Sequence, residues 1–182
     1  MTIPALTTER LLLQPLVAED AVQILKLYPR WEIVRYMVSS VPWPYPENGA
    51  ENYVNNVALP DMAKGIAWFW SIRRREAPEV LMGIICLYDV EDNNRGFWLA
   101  PEFQGQGYMR EASIAATDYW FNTLNKPVLR APKAVANSRS QRISASSGMR
   151  LVRTEKKAYV SGLLDSGLWE ITREEWNARY VS

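Results

Sequence analysis

The sequence contains no histidine among its 182 residues and only one cysteine, Cys86. Without histidine, imidazole general bases, Ser-His-Asp triads and imidazole metal ligands are excluded, so no metal site is expected. A single cysteine excludes an intramolecular disulfide. Because Cys86 lies inside the apolar run 82–88, it is expected to be a small buried hydrophobe and not a nucleophile.

Long apolar runs and a strong charge of either sign are also missing. No stretch approaches the ~18 apolar residues of a membrane span, and residues 1–10 lack the basic and apolar regions of a signal peptide. The formal net charge is +1, whereas nucleic-acid binding normally needs a strongly basic face. The densest basic cluster, Arg73 to Arg75, is explained by a solvated strand end, with a phosphate or acidic-partner contact as the alternative. We therefore expect a soluble cytoplasmic protein that binds neither nucleic acid nor membrane.

The length suits one domain over residues 1–182. Hydrophobic periodicity and breaker residues predict an alternation of helices and strands. The predicted strands are 10–16, 68–72, 80–88, 96–99, 128–136, 149–152, 157–160 and 168–172, and the predicted helices begin at Asp20, Trp31, Asn48, Gly107 and Arg139. This order indicates a mixed α/β domain built around one sheet.

The most informative segment is the turn Gln104-Gly105-Gln106-Gly107, which joins a short strand to a helix. Glycines allow several backbone N–H groups to face one space, and a helix N-terminus adds unpaired N–H groups and a positive dipole end. Such a turn suits a phosphate or pyrophosphate, although a tight turn without a ligand explains two glycines equally well. It is neither a Walker A loop nor a GxGxxG fingerprint.

This segment resembles motif A of the GNAT acetyltransferases, Gln/Arg-x-x-Gly-x-Gly/Ala, here Gln104-x-x-Gly107-x-Met109. The opening 8–13 with Glu19-Asp20 resembles the first strand and first helix of that superfamily, and the tail 169–176 resembles the ending of its RimJ/RimL-like branch. The resemblance implies an α/β (α+β) GNAT fold, with a single mixed, largely antiparallel seven-stranded sheet flanked by helices. Its fourth and fifth strands splay apart to admit acetyl-CoA. Pro132 agrees with such a gap, although ordinary edge placement explains it as well.

The resemblance also implies which residues bind acetyl-CoA. These are Phe97, Trp98, Leu99, Gln104, Gly105, Gln106, Gly107, Tyr108 and Met109, followed by Asn137 and Ser140. Asn137 would hydrogen-bond the pantetheine arm, and Ser140 would protonate the departing thiolate. From the residues alone, Asn137 is equally a helix N-cap, and Ser140 can be structural.

An aromatic acceptor site is the remaining expectation. Trp43, Tyr45, Trp68 and Trp70 come from segments that border the acceptor in the family, although core packing explains many such residues. Many branch members carry Glu where this chain has Asn94, so the usual general base is absent. Glu91 and Asp92 are nearby carboxylates, but solvated turn residues are the simpler interpretation of both.

The resemblance predicts an acetyl-CoA-dependent N-acetyltransferase that acts on a protein N-terminus or a small-molecule amine, as a monomer or a homodimer. The alternatives are a catalytically inactive acyl-CoA-binding sensor of the same fold and a nucleotide-binding module.

Overall fold

The computed structural model describes residues 2–182, which form eight strands and seven helices with short 3₁₀ and π turns between them. The strands are β1 Leu6–Thr7, β2 Leu11–Pro15, β3 Ala67–Arg74, β4 Gly83–Tyr88, β5 Arg95–Leu99, β6 Val128–Ala134, β7 Arg150–Tyr159 and β8 Gly162–Thr172. The helices are α1 Ala21–Leu27, α2 Trp31–Val34, α3 Gly49–Tyr53, α4 Leu59–Lys64, α5 Tyr108–Asp118, α6 Ser138–Ser146 and α7 Arg173–Tyr180. Over residues 2–182, none of these helices combines the length and apolar character that crossing a bilayer requires.

The strands form two antiparallel sheets, one ordered β1-β2-β3-β4-β5 and the other β6-β8-β7. The predicted α/β class with antiparallel strands and flanking helices is confirmed. The prediction of a single seven-stranded sheet is wrong, because β5 and β6 do not pair and each becomes an edge. Pro132 lies in β6, and an edge strand is where proline is tolerated in a sheet.

The two sheets are joined at one end of the gap by Asn94. Its backbone N–H donates to the Arg130 carbonyl at 2.7 Å, and its Oδ1 accepts from the Arg130 N–H at 2.8 Å. Its Nδ2 donates to the carbonyls of Tyr88 and Val90 at 3.2 and 2.8 Å. The side chain therefore connects the start of β5 both to β6 and to the turn after β4.

Asn94→Ala is expected to lower the free energy of unfolding by about 2–4 kcal/mol. Asn94 is only 8% exposed, and its removal leaves backbone groups of two segments without partners at about 1–3 kcal/mol each. Urea unfolding measures the change. Asn93→Ala is the matched control and is expected to stay within about 0.5 kcal/mol of the wild type. An equal loss in both variants would contradict the role given to the Asn94 amide.

The five-stranded sheet separates two apolar cores. On one face, α5 packs through its buried Ala112 and Ala116, and α7 adds the buried Trp176. On the other face, α1 to α4 cover Phe69, Ile84 and Cys86. The coenzyme cleft expected between β5 and β6 therefore lies at the edge that this sheet leaves free.

Two features of the last third of the chain depart from the predicted elements. The separate strands 149–152 and 157–160 are one strand, β7, whose register shifts between Leu151 and Arg153. Residues after Thr172 form α7, which begins with a capping box at its N-terminus. In it the Glu175 N–H donates to the Thr172 hydroxyl, and the Thr172 N–H donates to the Glu175 carboxylate.

Candidate functional site

The glycine turn adopts a backbone that only glycine takes without strain. Gly105 has φ +77° and Gly107 has φ +82°, and Gly107 is the N-cap of α5. A Cβ on Gly107 would lie 3.2 Å from a guanidinium nitrogen of Arg10. With both glycines in the left-handed region, the turn leads directly into the first-turn N–H groups of α5. This arrangement is suited to binding an anion.

Arg10, at the start of β2, supports this turn from outside. Its Nη1 donates to the Gln106 carbonyl at 2.9 Å, and its Nε lies 3.4 Å from the Glu111 carboxylate. The guanidinium also lies 4.5 Å above the Tyr108 ring. Sequence reasoning gave Arg10 no role, because nothing local indicates that a residue 96 positions earlier contacts the turn.

The Gln104 side chain lies at the base of the same turn. Its Nε2 donates to the Leu99 carbonyl at 2.8 Å, so the amide binds the end of β5. The Leu99 carbonyl therefore faces away from β4, on the edge of β5 that has no strand partner. Phe97 lies two residues earlier, and by strand alternation its backbone groups face the same open edge.

A cleft of about 740 Å³ opens at this edge, between the glycine turn and α6. Ten of the eleven predicted coenzyme-binding residues line it, and Gln106 is the exception. The residues that the structure brings together are Phe97, Trp98, Leu99, Gln104, Gly105, Gly107, Tyr108, Met109, Asn137 and Ser140. Met109, where the motif has Gly or Ala, is buried at 6% exposure, and its side chain packs in the core.

The charge of the cleft favours an anionic ligand. Four arginines line it, Arg35, Arg110, Arg139 and Arg142, against one carboxylate, that of Glu32. The buried Nε of Arg35 has no hydrogen-bond partner within residues 2–182. Together with the N-terminus of α5, these guanidinium groups fit a ligand that carries several phosphates. Their positions in the sequence are only a weak signal, since three of the four lie within three residues of motif positions.

Asn137 and Ser140 lie together at the start of α6. The Oδ1 of Asn137 accepts from the Ser140 N–H at 3.4 Å, which confirms the N-cap. Capping engages only the carbonyl oxygen of this amide. Ser140 is 5% exposed and lines the cleft. Its assignment as a proton donor stays a prediction.

A second cavity, of about 600 Å³, lies on the α1–α4 side of the sheet. It shares Met37, Phe97 and Trp98 with the first cleft, so the two meet at β5. Its walls include an aromatic set consisting of Tyr28, Tyr45, Tyr53, Phe69 and Tyr88. Of the four aromatic residues predicted for the acceptor site, Tyr45 lines this cavity.

The other three predicted acceptor residues do not line it. Trp43 is 41% exposed and stacks on Trp31 with ring centroids 5.5 Å apart. Trp68 and Trp70 are buried on the opposite face of the sheet, in edge-to-face contact with aromatic residues 120 and 119. Side chains alternate across a strand, so β3 presents Phe69 to the cavity. The placement of Trp68 and Trp70 corrects the expectation that they contact an acceptor.

A model of the acetyltransferase (GNAT) domain matches residues 10–150 of this chain. The chain belongs to the GNAT acetyltransferases. It is 27% identical over 177 residues to the uncharacterized N-acetyltransferase YnaD of Bacillus subtilis (strain 168), with 94% of this chain and 99% of that protein aligned. As a GNAT it is an acyltransferase.

Solved structures share this fold at low sequence identity. The ribosomal-protein-S5-alanine acetyltransferase from Vibrio fischeri superposes with a TM-score of 0.80 at 17% identity, covering 96% of this chain and 99% of that one. RimL, a ribosomal L7/L12 α-N-protein acetyltransferase in complex with coenzyme A, superposes with a TM-score of 0.78 at 16% identity. That match covers 93% of this chain and 98% of RimL. These likenesses show that this chain has the same fold as these ribosomal-protein acetyltransferases.

This GNAT buries two neighbouring basic side chains beside its cleft. Lys133 is 7% exposed, and its Nζ lies 4.1 Å above the centre of the Phe97 ring. Arg95 is 1% exposed and donates to the Thr117 hydroxyl at 2.9 Å. Across residues 2–182, neither side chain forms an ion pair with a carboxylate. Burial, with the charge of Arg95 adding to it, holds the pKa of Lys133 well below its ordinary value, and burial lowers that of Arg95 to about 10.

Lys133→Met is expected to stabilise this GNAT by about 1–4 kcal/mol at pH 7, by analogy with the gain found when buried ion pairs are replaced by apolar residues of similar volume. The folded-state pKa of Lys133 is depressed, so the unfolded chain binds more protons at pH values between the folded and the unfolded pKa. The penalty vanishes above the unfolded pKa of about 10.4 and is fully developed below the folded pKa. The gain from the substitution therefore shrinks as pH rises towards 10.

Denaturant unfolding at several pH values between 7 and 10 measures this difference. Lys126→Met is the matched control, because Lys126 is more exposed and pairs with Asp89 at 2.8 Å. A gain that does not change with pH would contradict the titration assigned to Lys133.

Proposed function

We propose that this GNAT transfers an acetyl group from acetyl-CoA to a primary amine, with both substrates bound at once. The observation that carries the proposal is the pair of cavities that reach β5 from two sides and meet at Met37, Phe97 and Trp98. A ternary complex needs two such sites with one point of contact. Burial raises the pKa of the Cys86 thiol to about 11, so this cysteine is protonated and unsuited to an acyl-enzyme route.

The first cleft supplies groups that fit acetyl-CoA. The amides of the glycine turn and the N-terminus of α5 would hold the pyrophosphate, and the four arginines would hold phosphate oxygens. Asn137 and the free edge of β5 would hydrogen-bond the pantetheine arm. The thioester supplies the activated acetyl group. RimL, which shares the fold, is a coenzyme A complex, and this supports the same ligand here.

The transfer forms one carbon–nitrogen bond and breaks one carbon–sulfur bond. One proton leaves the amine, and one is delivered to the sulfur of the leaving group. Ser140 is the hydroxyl that we assign to the second proton, because it lies in the cleft at the start of α6. No carboxylate lines the second cavity among residues 2–182, and we assign the first proton to water.

The nucleophile must be the neutral amine. An α-amine with a pKa near ~7.8 is roughly 14% neutral at pH 7, whereas an amine near ~10.4 is only about 0.04% neutral. Apolar walls disfavour the charged form and shift this balance towards the reactive amine. The aromatic cavity therefore supports acetyl transfer without an assigned base.

The experiment is a panel of amines with release of free thiol from acetyl-CoA as the readout and mass spectrometry of the product. Peptides beginning with Ala, Ser or Met, polyamines, aminoglycosides and simple alkyl and aryl amines cover the main acceptor classes. We expect amine-dependent thiol release and an acetylated amine. Saturable binding of acetyl-CoA without turnover on any member would refute the proposal and indicate a sensor.

A further inference from the structure

The second cavity is large enough for a small molecule and contains no formal charge. Its volume of about 600 Å³ falls within the ~300–1,000 Å³ typical of ligand sites. Among residues 2–182, those that line it include no Asp, Glu, Lys or Arg. An acceptor in this cavity therefore meets no side chain that could pair with a second ammonium group or with a carboxylate.

The aromatic walls form two groups of rings. Tyr28 contacts Tyr45 edge-to-face at 5.3 Å and Trp98 at 5.2 Å, so one group runs from the loop before α3 to the junction with the coenzyme cleft. In the other group, Phe69 contacts Tyr53 at 6.2 Å and Tyr88 at 5.6 Å. A ligand ring placed between these two groups could form further edge-to-face contacts, and an alkyl chain could pack against the ring faces.

The polar atoms of the cavity remain neutral and are partly engaged with each other. The Cys86 thiol donates to the Tyr88 hydroxyl at 3.0 Å. Burial raises the pKa of Tyr88 well above its ordinary value and that of Tyr53 to about 12. Burial also raises the pKa of Tyr28 above its ordinary value. These hydroxyls therefore provide no negative charge at neutral pH.

Polycationic acceptors are disfavoured by this lining. Each extra ammonium of a polyamine or aminoglycoside would have to leave water without a carboxylate partner, and burying an unpaired charge is strongly unfavourable. The attraction between a cation and an aromatic face is too weak to offset that loss. The reacting amine escapes the penalty, since it enters the reaction in its neutral form.

We propose that the acceptor is a primary amine carried on an uncharged aromatic or apolar body, of the size of an arylalkylamine. This inference rests on the proposed acetyl transfer and names its substrate class. The body occupies the space between the two ring groups, and the amine points to the junction at Phe97 and Trp98. A peptide N-terminus, with its polar backbone, is an outcome that the test can reveal.

The sharpest test compares amines that differ only in the second charge. Hexylamine and 1,6-diaminohexane have the same chain length, and tryptamine adds the aromatic body. With acetyl-CoA saturating, we expect kcat/KM for hexylamine and tryptamine to exceed that for the diamine by at least 100-fold. A diamine, spermidine or a peptide beginning with Ala used equally well or better would overturn the acceptor class and leave acetyl transfer intact. Thiol release with none of the amines, despite bound acetyl-CoA, would overturn both proposals.

A pair of variants in one loop locates the acceptor. Tyr45→Ala removes a ring from the cavity wall and is expected to raise KM for tryptamine about 10-fold, with the Kd of acetyl-CoA unchanged. Trp43→Ala removes an exposed ring that does not line the cavity and is expected to leave KM at the wild-type value. Equal KM values for the Tyr45 variant and the wild type would overturn the placement of the amine in this cavity.

Discussion

Replacing Gly107 with valine is expected to remove most of the thermal stabilisation that acetyl-CoA gives to the folded protein. A ligand that binds only the native state stabilises it by about 2.7 kcal/mol at a hundredfold excess over Kd. For a domain of this size that corresponds to a rise in Tm of about 5–10 °C. Gly107 has φ +82°, and an added Cβ comes within 3.2 Å of Arg10. The valine would therefore displace the N–H groups assigned to the pyrophosphate. Thermal shift with and without acetyl-CoA gives the answer.

Gly65→Val is the matched control for backbone strain. Gly65 ends α4 at φ +72°, and a Cβ built there meets no atom within 4 Å. Both valines occupy the left-handed region, at a cost of roughly 1–2 kcal/mol, so both variants should melt earlier than the wild type. Only the Gly65 variant should keep the full acetyl-CoA shift. A full shift in the Gly107 variant would place the coenzyme elsewhere.

Ser140→Ala is expected to lower kcat about 10- to 100-fold while the Kd of acetyl-CoA stays close to the wild-type value. A positioned general acid contributes roughly 10²–10⁴-fold, and water entering the space of the lost hydroxyl restores part of that. The loss should occur in kcat and kcat/KM together, as for an interaction made only in the transition state. Steady-state thiol release and a separate titration of acetyl-CoA binding separate the two quantities.

Two further variants on α6 make this result interpretable. Ser144 lies one turn later, is fully buried and does not line the cleft, so Ser144→Ala should turn over at the wild-type rate. Asn137→Ala should weaken acetyl-CoA binding and also lose about 1 kcal/mol of stability with the N-cap. Wild-type turnover by the Ser140 variant with a confirmed acceptor would mean that this serine is structural.

The coenzyme cleft was the part of the site most predictable from sequence. Glycines at positions 105 and 107 permit the positive φ angles that the turn adopts. The hydrophobic period of the following residues predicts a helix that begins directly after them. Asn137 is a residue type that favours the N-cap position of a helix. Each of these signals is local, because a backbone conformation or a helix end depends on a few consecutive residues. The cleft arginines follow only from the folded arrangement.

The lining of the second cavity was predicted poorly because the face of a strand is not local information. The run Trp68-Phe69-Trp70 must place its middle residue opposite to the other two, but the sequence does not say which face is covered by α5. Trp68 and Trp70 went to the core, and Phe69 went to the cavity. Tyr28, Tyr53 and Tyr88 come from three separate elements, and only tertiary packing brings them to one wall.

The contact between the two sheets uses a side chain that sequence reasoning treated as a missing base. Asn94, which directly precedes β5, forms two hydrogen bonds with Arg130 of β6. The residue pattern alone predicted strands 96–99 and 128–136 around one sheet. Only the resemblance to the GNAT proteins implied that these two strands splay apart, because no local residue pattern encodes the absence of hydrogen bonds between two strands.

The two hydrogen bonds between Asn94 and Arg130 affect how the molecule responds to its ligand. Past Asn94, no ladder of hydrogen bonds joins the facing edges of β5 and β6 within residues 2–182, so their outward N–H groups depend on solvent or on a bound molecule for partners. An extended, amide-containing arm bound between the two strands would supply the missing hydrogen bonds and thereby connect the two sheets. Protection of these edge amides against deuterium exchange should therefore rise on coenzyme binding, spreading outward from the end that Asn94 already holds closed.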